Sequence, residues 1–250
     1  MHTIRITRIA VAAIAATLLM AVAAPAAGGP TLSLSVKISP SRNLKPGDPL
    51  TLIFDGKLAG PNGGLAPTIT KSVIFLSQGA VENGRLFPSC SAAQLKRHHN
   101  ALSACPKGSK IGSGFITATA VQLGVSANAT ATMFNGPGGR SIVFNFHATV
   151  PADINDSLDA PLVRLHGRYG YKLTLTIPHD LQEILDGVFV SVQKFHFVTQ
   201  GFVKVHGRKR AFIEGRKCPK NGKAPVHADF SFLDGTTASA DTNVAFSCRK

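Results

Sequence analysis

The chain has 250 residues, 44% hydrophobic and 16% charged, and its 27 Lys and Arg against 13 Asp and Glu give a formal net charge of +14. A chain of this size can bury a substantial core, so its cysteines supplement the fold and need not create it. The charge directs the search toward anionic partners, while the absence of Trp argues against a carbohydrate binder that works by indole stacking.

Residues 1–26 have the three parts of an export signal. Arg5 and Arg8 come first, an almost unbroken apolar run follows from Ile9 to Val22, and Ala21-Val22-Ala23 and Ala24-Pro25-Ala26 supply cleavage motifs. The run is short for a bilayer span of about 20 residues and ends in Ala, Pro and Gly rather than in charge. No cysteine follows it directly, which excludes a lipoprotein anchor. The expectation is a secreted or cell-envelope-associated mature region, residues 27–250, with no transmembrane segment and a charge of +12 once Arg5 and Arg8 are gone from the +14.

The mature region reads mostly as strands. TLSLSVKI puts Leu32, Leu34, Val36 and Ile38 on one face, the period-2 signature of a half-buried strand. Pro46-Gly47-Asp48-Pro49 turns the chain into a second strand with Leu50, Leu52 and Phe54, and Lys71 to Ser77 forms a third. Helix is expected after Ser91, which can cap SAAQLKRHHNALSA, and in the short DLQEILDG stretch ending at Gly187. Strands resume over 111–121, 127–134, 141–150, 162–165, 172–177, 188–198 and 201–205. NGPGG at 135–139 reads either as a boundary between two abutting β-units or as a hairpin turn, and VRLHGR at 163–168 echoes VKVHGR at 203–208. At the end of the chain, a three-residue loop Asp234-Gly235-Thr236 pairs Phe232 with Ala238, Phe230 with Ala240 and Val226 with Val244, gathering the apolar residues on one face. The fold class expected is all-β: an antiparallel β-sandwich, Ig-like or jelly-roll-like, with one or two short helices.

An even count of four cysteines in an exported chain reads as disulfides, and the local pairing Cys90–Cys105 with Cys218–Cys248 is the favoured one of three. No Cys-x-x-Cys or Cys-x-x-His spacing supports zinc. Catalytic signatures are largely missing: there is no Gly-x-Ser-x-Gly, Walker loop or His-Glu-x-x-His. Ser191-Val192-Gln193-Lys194 matches Ser-x-x-Lys but falls in a strand, where residues three apart face opposite sides. Asp153, Asn155, Ser157 and Asp159 have the alternate spacing of a calcium loop, with Leu158 at the glycine position and Arg164 where the closing Glu belongs; a polar loop is the competing reading. No other cofactor is implied.

The basic clusters are the most tangible feature. Lys96 and Arg97 sit on the first cysteine loop, and Arg208, Lys209, Arg210, Arg216 and Lys217 crowd the C-terminal third, with Lys220 close by. These are the candidate anion-binding residues, for an anionic cell-wall polymer or an anionic lipid surface. Nucleic acid would call for interleaved aromatics or a recognisable module, and neither is present.

FPSCSAAQL…SACPKGSKIGSGFITATA and CPKNGKAPVHADFSFLDGTTASADTNVAFSC together resemble the Cys/Cys-Pro blocks of exported β-rich proteins of actinobacterial type, a family with no established activity. The resemblance spans about a third of the mature region and implies location and architecture, with no catalytic residue to carry over. The function expected is a non-catalytic secreted or envelope-associated protein that meets anionic polymers through its basic patches. Its alternatives are a secreted hydrolase built from dispersed His and Asp/Glu, and a calcium-stabilised structural module.

Overall fold

Alternation of apolar and polar residues builds almost the whole molecule. A computed structural model describes residues 28–218 and 221–249; the expected export signal and Lys220 lie outside them. The first half of the chain gives β1 (Thr31–Ser39), β2 (Pro49–Ala59), β3 (Ile69–Ser77), β4 (Ala80–Glu82), α1 (Ala92–Arg97), β5 (Lys110–Ala120), β6 (Val125–Ser126), β7 (Ala129–Asn135) and β8 (Ser141–Ala148). The second half gives β9 (Ile154–Arg164), β10 (Tyr169–Thr176), α2 (His179–Gln182), β11 (Glu183–Leu185), β12 (Val188–Thr199), β13 (Phe202–Val205), β14 (Arg208–Ala211), β15 (Ile213–Gly215), β16 (Lys223–Phe232) and β17 (Thr237–Ala245). The fold is all-β and antiparallel, as the periodicity predicts.

Two layers face each other. One runs β1-β2-β12-β5-β7-β8-β9, the other β10-β3-β16-β17, and only three residue pairs, from Tyr171↔Arg164 to Leu173↔Leu162, join them at the β9/β10 corner. At the opposite corner β1 and β17 lie side by side. One core cluster mixes Val36, Phe54 and Phe195 of the first layer with Val226, Phe230 and Val244 of the second. NGPGG at 135–139 falls in the turn between β7 and β8, which pair with each other.

Glycine and phenylalanine alternate between neighbouring strands. Register puts Gly56 opposite Phe195 and Gly114 opposite Phe197. A Cβ on Gly56 would lie 1.9 Å from Phe195 Cζ, and one on Gly114 would lie 2.3 Å from the His196 carbonyl oxygen and 2.4 Å from Phe197 Cδ1. The rings fill the space the missing side chains leave, an aromatic-over-glycine fit. Phe195 then stacks on Phe54 of its own layer and on Phe230 of the other, each at 5.8 Å between centroids.

Two expectations need correction. The last hairpin pairs Phe230 with Ala238 and Ala224 with Val244, two residues away from the sequence-based register. Its loop is Leu233-Asp234-Gly235, because Gly235 (φ +82°) must stand third, in the left-handed position that closes a bulged three-residue loop. A shift of two keeps every side chain on its face, so the alternating burial of β16 is as expected. The other correction is β9, an 11-residue strand where a polar loop and a short strand are expected. It pairs with β8 from Ser141↔Pro161 to Ala148↔Ile154, so the whole Asp153–Asp159 stretch runs beside or within a ladder.

Both disulfides form with the local pairing, Cys90–Cys105 and Cys218–Cys248. The first closes a segment that carries α1, started by Ser91, whose Oγ accepts from the Gln94 N–H at 3.0 Å. Leu95 and Cys90 of that segment bury against Val143 and Phe134 on the outer face of β8 and β7. Gly114→Ala is expected to destabilise the protein by about 1–3 kcal/mol, because the clash is with backbone and cannot be relieved by a rotamer change. Urea denaturation of the oxidised protein measures this, with Gly124→Ala, where no atom lies within 4 Å but φ is +64°, as a comparison for glycine loss without crowding.

Candidate functional site

The strands do not fill the space between the layers. At the end of the sandwich where β2 begins and β16 begins, a cavity of about 260 Å³ lies inside the fold. Its walls are inward-facing side chains of both layers: Leu50, Leu52, Phe54, Phe144 and Phe197 from one, Ile74, Leu76, Leu173, Val226 and Val244 from the other. An apolar lining of this kind suits an apolar guest.

The rim has the opposite character. Lys45, Arg216, Lys217 and Arg249 border the cavity and are exposed, and none makes an ion pair among the described residues. Chain topology puts them there. The loop after β1 and the C-terminal residues are stitched together by Leu44 N–H to the Ser247 carbonyl (3.0 Å) and Arg249 N–H to the Leu44 carbonyl (3.1 Å). The Cys218–Cys248 disulfide holds the segment after β15 to the same tail, and both its cysteines line the cavity.

Among the described residues, one side-chain carboxylate borders this cavity. Glu82, at the end of β4, accepts from the Gly84 N–H, and burial pushes its pKa up to about 7 against the opposing pull of that hydrogen bond and of Arg85. Near neutral pH it therefore stands between its charged and neutral forms.

The sequence-predicted anion-binding residues separate into three places. Arg216 and Lys217 are at the cavity rim. Arg208 and Lys209 lie on the β13–β14 hairpin, where Lys209 Nζ sits 4.0 Å over the Phe202 ring. Arg210 is spent: it grips buried Glu214 through two hydrogen bonds of 2.9 and 2.8 Å, which hold the Glu214 carboxyl below the usual range. Lys96 and Arg97 are on α1, with Lys96 Nζ 2.9 Å from Asp156.

Asp153, Asn155, Ser157 and Asp159 do not gather around a point. On a strand, alternate residues share a face but stand about 6.6–6.8 Å apart, so four of them span far more than one coordination sphere. Asp153 is exposed and lies 3.6 Å from His147, while the side-chain oxygens of the other three are engaged with β8 or with the Cys90–Cys105 segment. Ser157 Oγ donates to Asn100 Oδ1 at 2.8 Å, Asn155 Oδ1 accepts from Asn145 at 2.9 Å, and Asp159 accepts from the Ala92 N–H. Burial raises the Asp159 pKa, opposed by that hydrogen bond and by Lys96.

Histidines pair with carboxylates one site at a time: His196 with Asp55 (2.6 Å), His179 with Glu183 (3.0 Å), and His227 with both Asp229 (2.9 Å) and Asp241 (3.1 Å). Among the described residues no group of three or more His, Cys, Asp or Glu could hold a metal ion. A bulge at Gln193 puts Ser191 and Lys194 on the same, outer face of β12, contrary to the expectation from plain alternation. Ser191 is fully buried and bonded to Gln193, so the pair still makes no contact.

No helix among the described residues is long and apolar enough to cross a membrane. No family model, curated protein or solved structure matches the chain. Sequence reasoning missed the cavity, Lys45 and Glu82. The available signal was the co-location of loops at one end, which strand order alone supplies.

Glu82 gives this site a pH signature. The folded protein binds its proton more tightly than the unfolded chain, so stability falls as pH rises from the ordinary glutamate range to about 7 and stays lowered above it. Glu82→Gln keeps an acceptor for the Gly84 N–H and removes the charge. It is expected to match the wild type near pH 4 and to be more stable at pH 8 by on the order of 1–2 kcal/mol, after allowance for partial exposure. Thermal or urea unfolding across that range checks it.

Proposed function

We propose that this chain is a non-catalytic, exported binding protein of the cell envelope that holds an amphiphile with an anionic head group. The apolar tail enters the cavity between the layers, and the head stays at the rim beside Lys45, Arg216, Lys217 and Arg249. The observation that carries the reading is the pairing of an apolar interior with exposed cations on the border of the same cavity.

Each half of that pairing selects a different part of the ligand. Burying a methylene contributes about 0.8 kcal/mol, so tail length sets affinity. The rim charges remain in water, where each contributes about 1 kcal/mol or less and mainly distinguishes anionic from neutral heads. A wall polymer would meet the same cations but would leave the interior unused, which favours lipid over polymer among the anionic partners. Export is supported by the leader-like residues 1–26 and by two disulfides, a pattern of oxidising compartments. Glu82 adds a pH response, since its protonation below about 7 removes a negative charge from the border of the cavity.

Calorimetric titration with palmitate and with its uncharged methyl ester tests the reading. Palmitate is expected to bind, tighter at low salt and below pH 7, and the ester about tenfold or more weakly. The double variant Arg216→Glu, Lys217→Glu should weaken palmitate by about tenfold while leaving the melting temperature close to wild type. Absence of binding by either compound, or equal binding of both, would remove the proposal.

A further inference from the structure

A second hollow lies at the other end of the sandwich. It has a volume of about 160 Å³ and is almost entirely apolar, with Thr68 and Ser72 its only polar side chains. Small residues create it: Ala118, Ala127, Ala129 and Ala148 stand where larger side chains would close the space between the layers.

The partition between the hollows is one side chain thick. Phe197 lines both. On β10, Leu173 faces the first cavity, and the next inward residue, Leu175, faces the second; Phe144 and Phe146 on β8 divide the same way. The barrier is therefore a single tier of rings, with Phe197 5.7 Å from Phe144 and 5.9 Å from Phe195 between centroids. A chain that passes from one hollow to the other has to displace the Phe197 ring. Between Thr199, in the first cavity, and Val190, in the second, β12 runs about 30 Å at the rise of an antiparallel strand.

We infer that the two cavities hold one ligand: a long-chain amphiphile whose tail passes Phe197 and ends in the alanine-lined cavity. This rests on the proposed lipid-binding role and specifies its substrate class. A decanoyl chain fills the first cavity, whereas a stearoyl chain needs both. The far cavity thus selects for chain length, and its occupancy adds about fourfold in affinity for each further methylene buried.

Displacement of an environment-sensitive fluorescent fatty acid by decanoate and by stearate, below their micellar concentrations, tests the inference. Wild-type protein should bind stearate at least a hundredfold more tightly. Filling the far cavity with Ala129→Phe should bring stearate to within tenfold of decanoate and leave decanoate unchanged. Ala148→Leu, a smaller intrusion into the same space, should move stearate alone in the same direction and serves if the first variant does not fold by circular dichroism. Stearate affinity that is unaltered in the folded variants, or equal to decanoate in the wild type, would overturn the two-cavity ligand while leaving the proposed function standing. Failure of both acids to bind wild-type protein would remove both.

Discussion

The spacing of the two layers depends on the fit between Phe195 and Phe197 and the glycines opposite them. Gly56 and Gly114 remove the side chains that would otherwise meet those rings, so the rings lie down within their own layer instead of standing across the gap. Phe195 then reaches Phe230 in the facing sheet, and Phe197 meets Phe144 edge-on. The sandwich is held at its waist by this aromatic tier. On either side of it the inward-facing side chains leave the two hollows between the layers. A protein interior is ordinarily as dense as an organic crystal. Open ends around a packed middle are therefore a property of the residue choice and not of looseness in the strands.

Polar groups complete the picture by being kept elsewhere. Glu214 is buried but gripped by Arg210, and Asn135 donates to three carbonyls, those of Gly84, Phe87 and Pro88. Histidine–carboxylate pairs lie apart from one another, and Ser157 and Asp159 of the calcium-like run are engaged with the segment that carries α1. Among the described residues, the exposed charges without an ion pair at the larger cavity are cationic, with the Glu82 carboxyl beside them. The larger cavity and its cationic border lie at one end of the molecule, and among the described residues no group of three or more His, Cys, Asp or Glu could hold a metal ion.

Much of the architecture was legible in the residues. Period-2 runs located β1, β2, β12, β16 and β17, and the cysteine spacing placed both disulfides. What failed did so for physical reasons. The Asp153–Asp159 run looked like a loop because its polar side chains face α1, a segment far away in sequence that gives them partners. The hairpin register slipped by two because parity constrains the face while only the left-handed glycine position fixes the turn. The bulge at Gln193 shows only as a change of parity, from Val190 and Val192 to Phe195 and Phe197 across Gln193-Lys194, which plain alternation reads through. Cavities are harder still, because a hollow is a relation among side chains on many strands. Arg216 and Lys217 could be nominated from sequence as basic, yet their place beside Lys45 and Arg249 required knowing that the loop after β1 meets the tail.

That meeting also bears on how the molecule is made. β3 finds its partner in β16, β2 in β12, and β1 comes to rest against β17, so both layers recruit strands from opposite ends of the polypeptide. Such long-range pairing is slow to nucleate, since the entropy of closing large loops is lost before the contacts that reward it exist. The apolar walls of the larger hollow draw on β2 near one end of the described chain and on β16 and β17 near the other, so the hollow is complete only with the terminal hairpin in place.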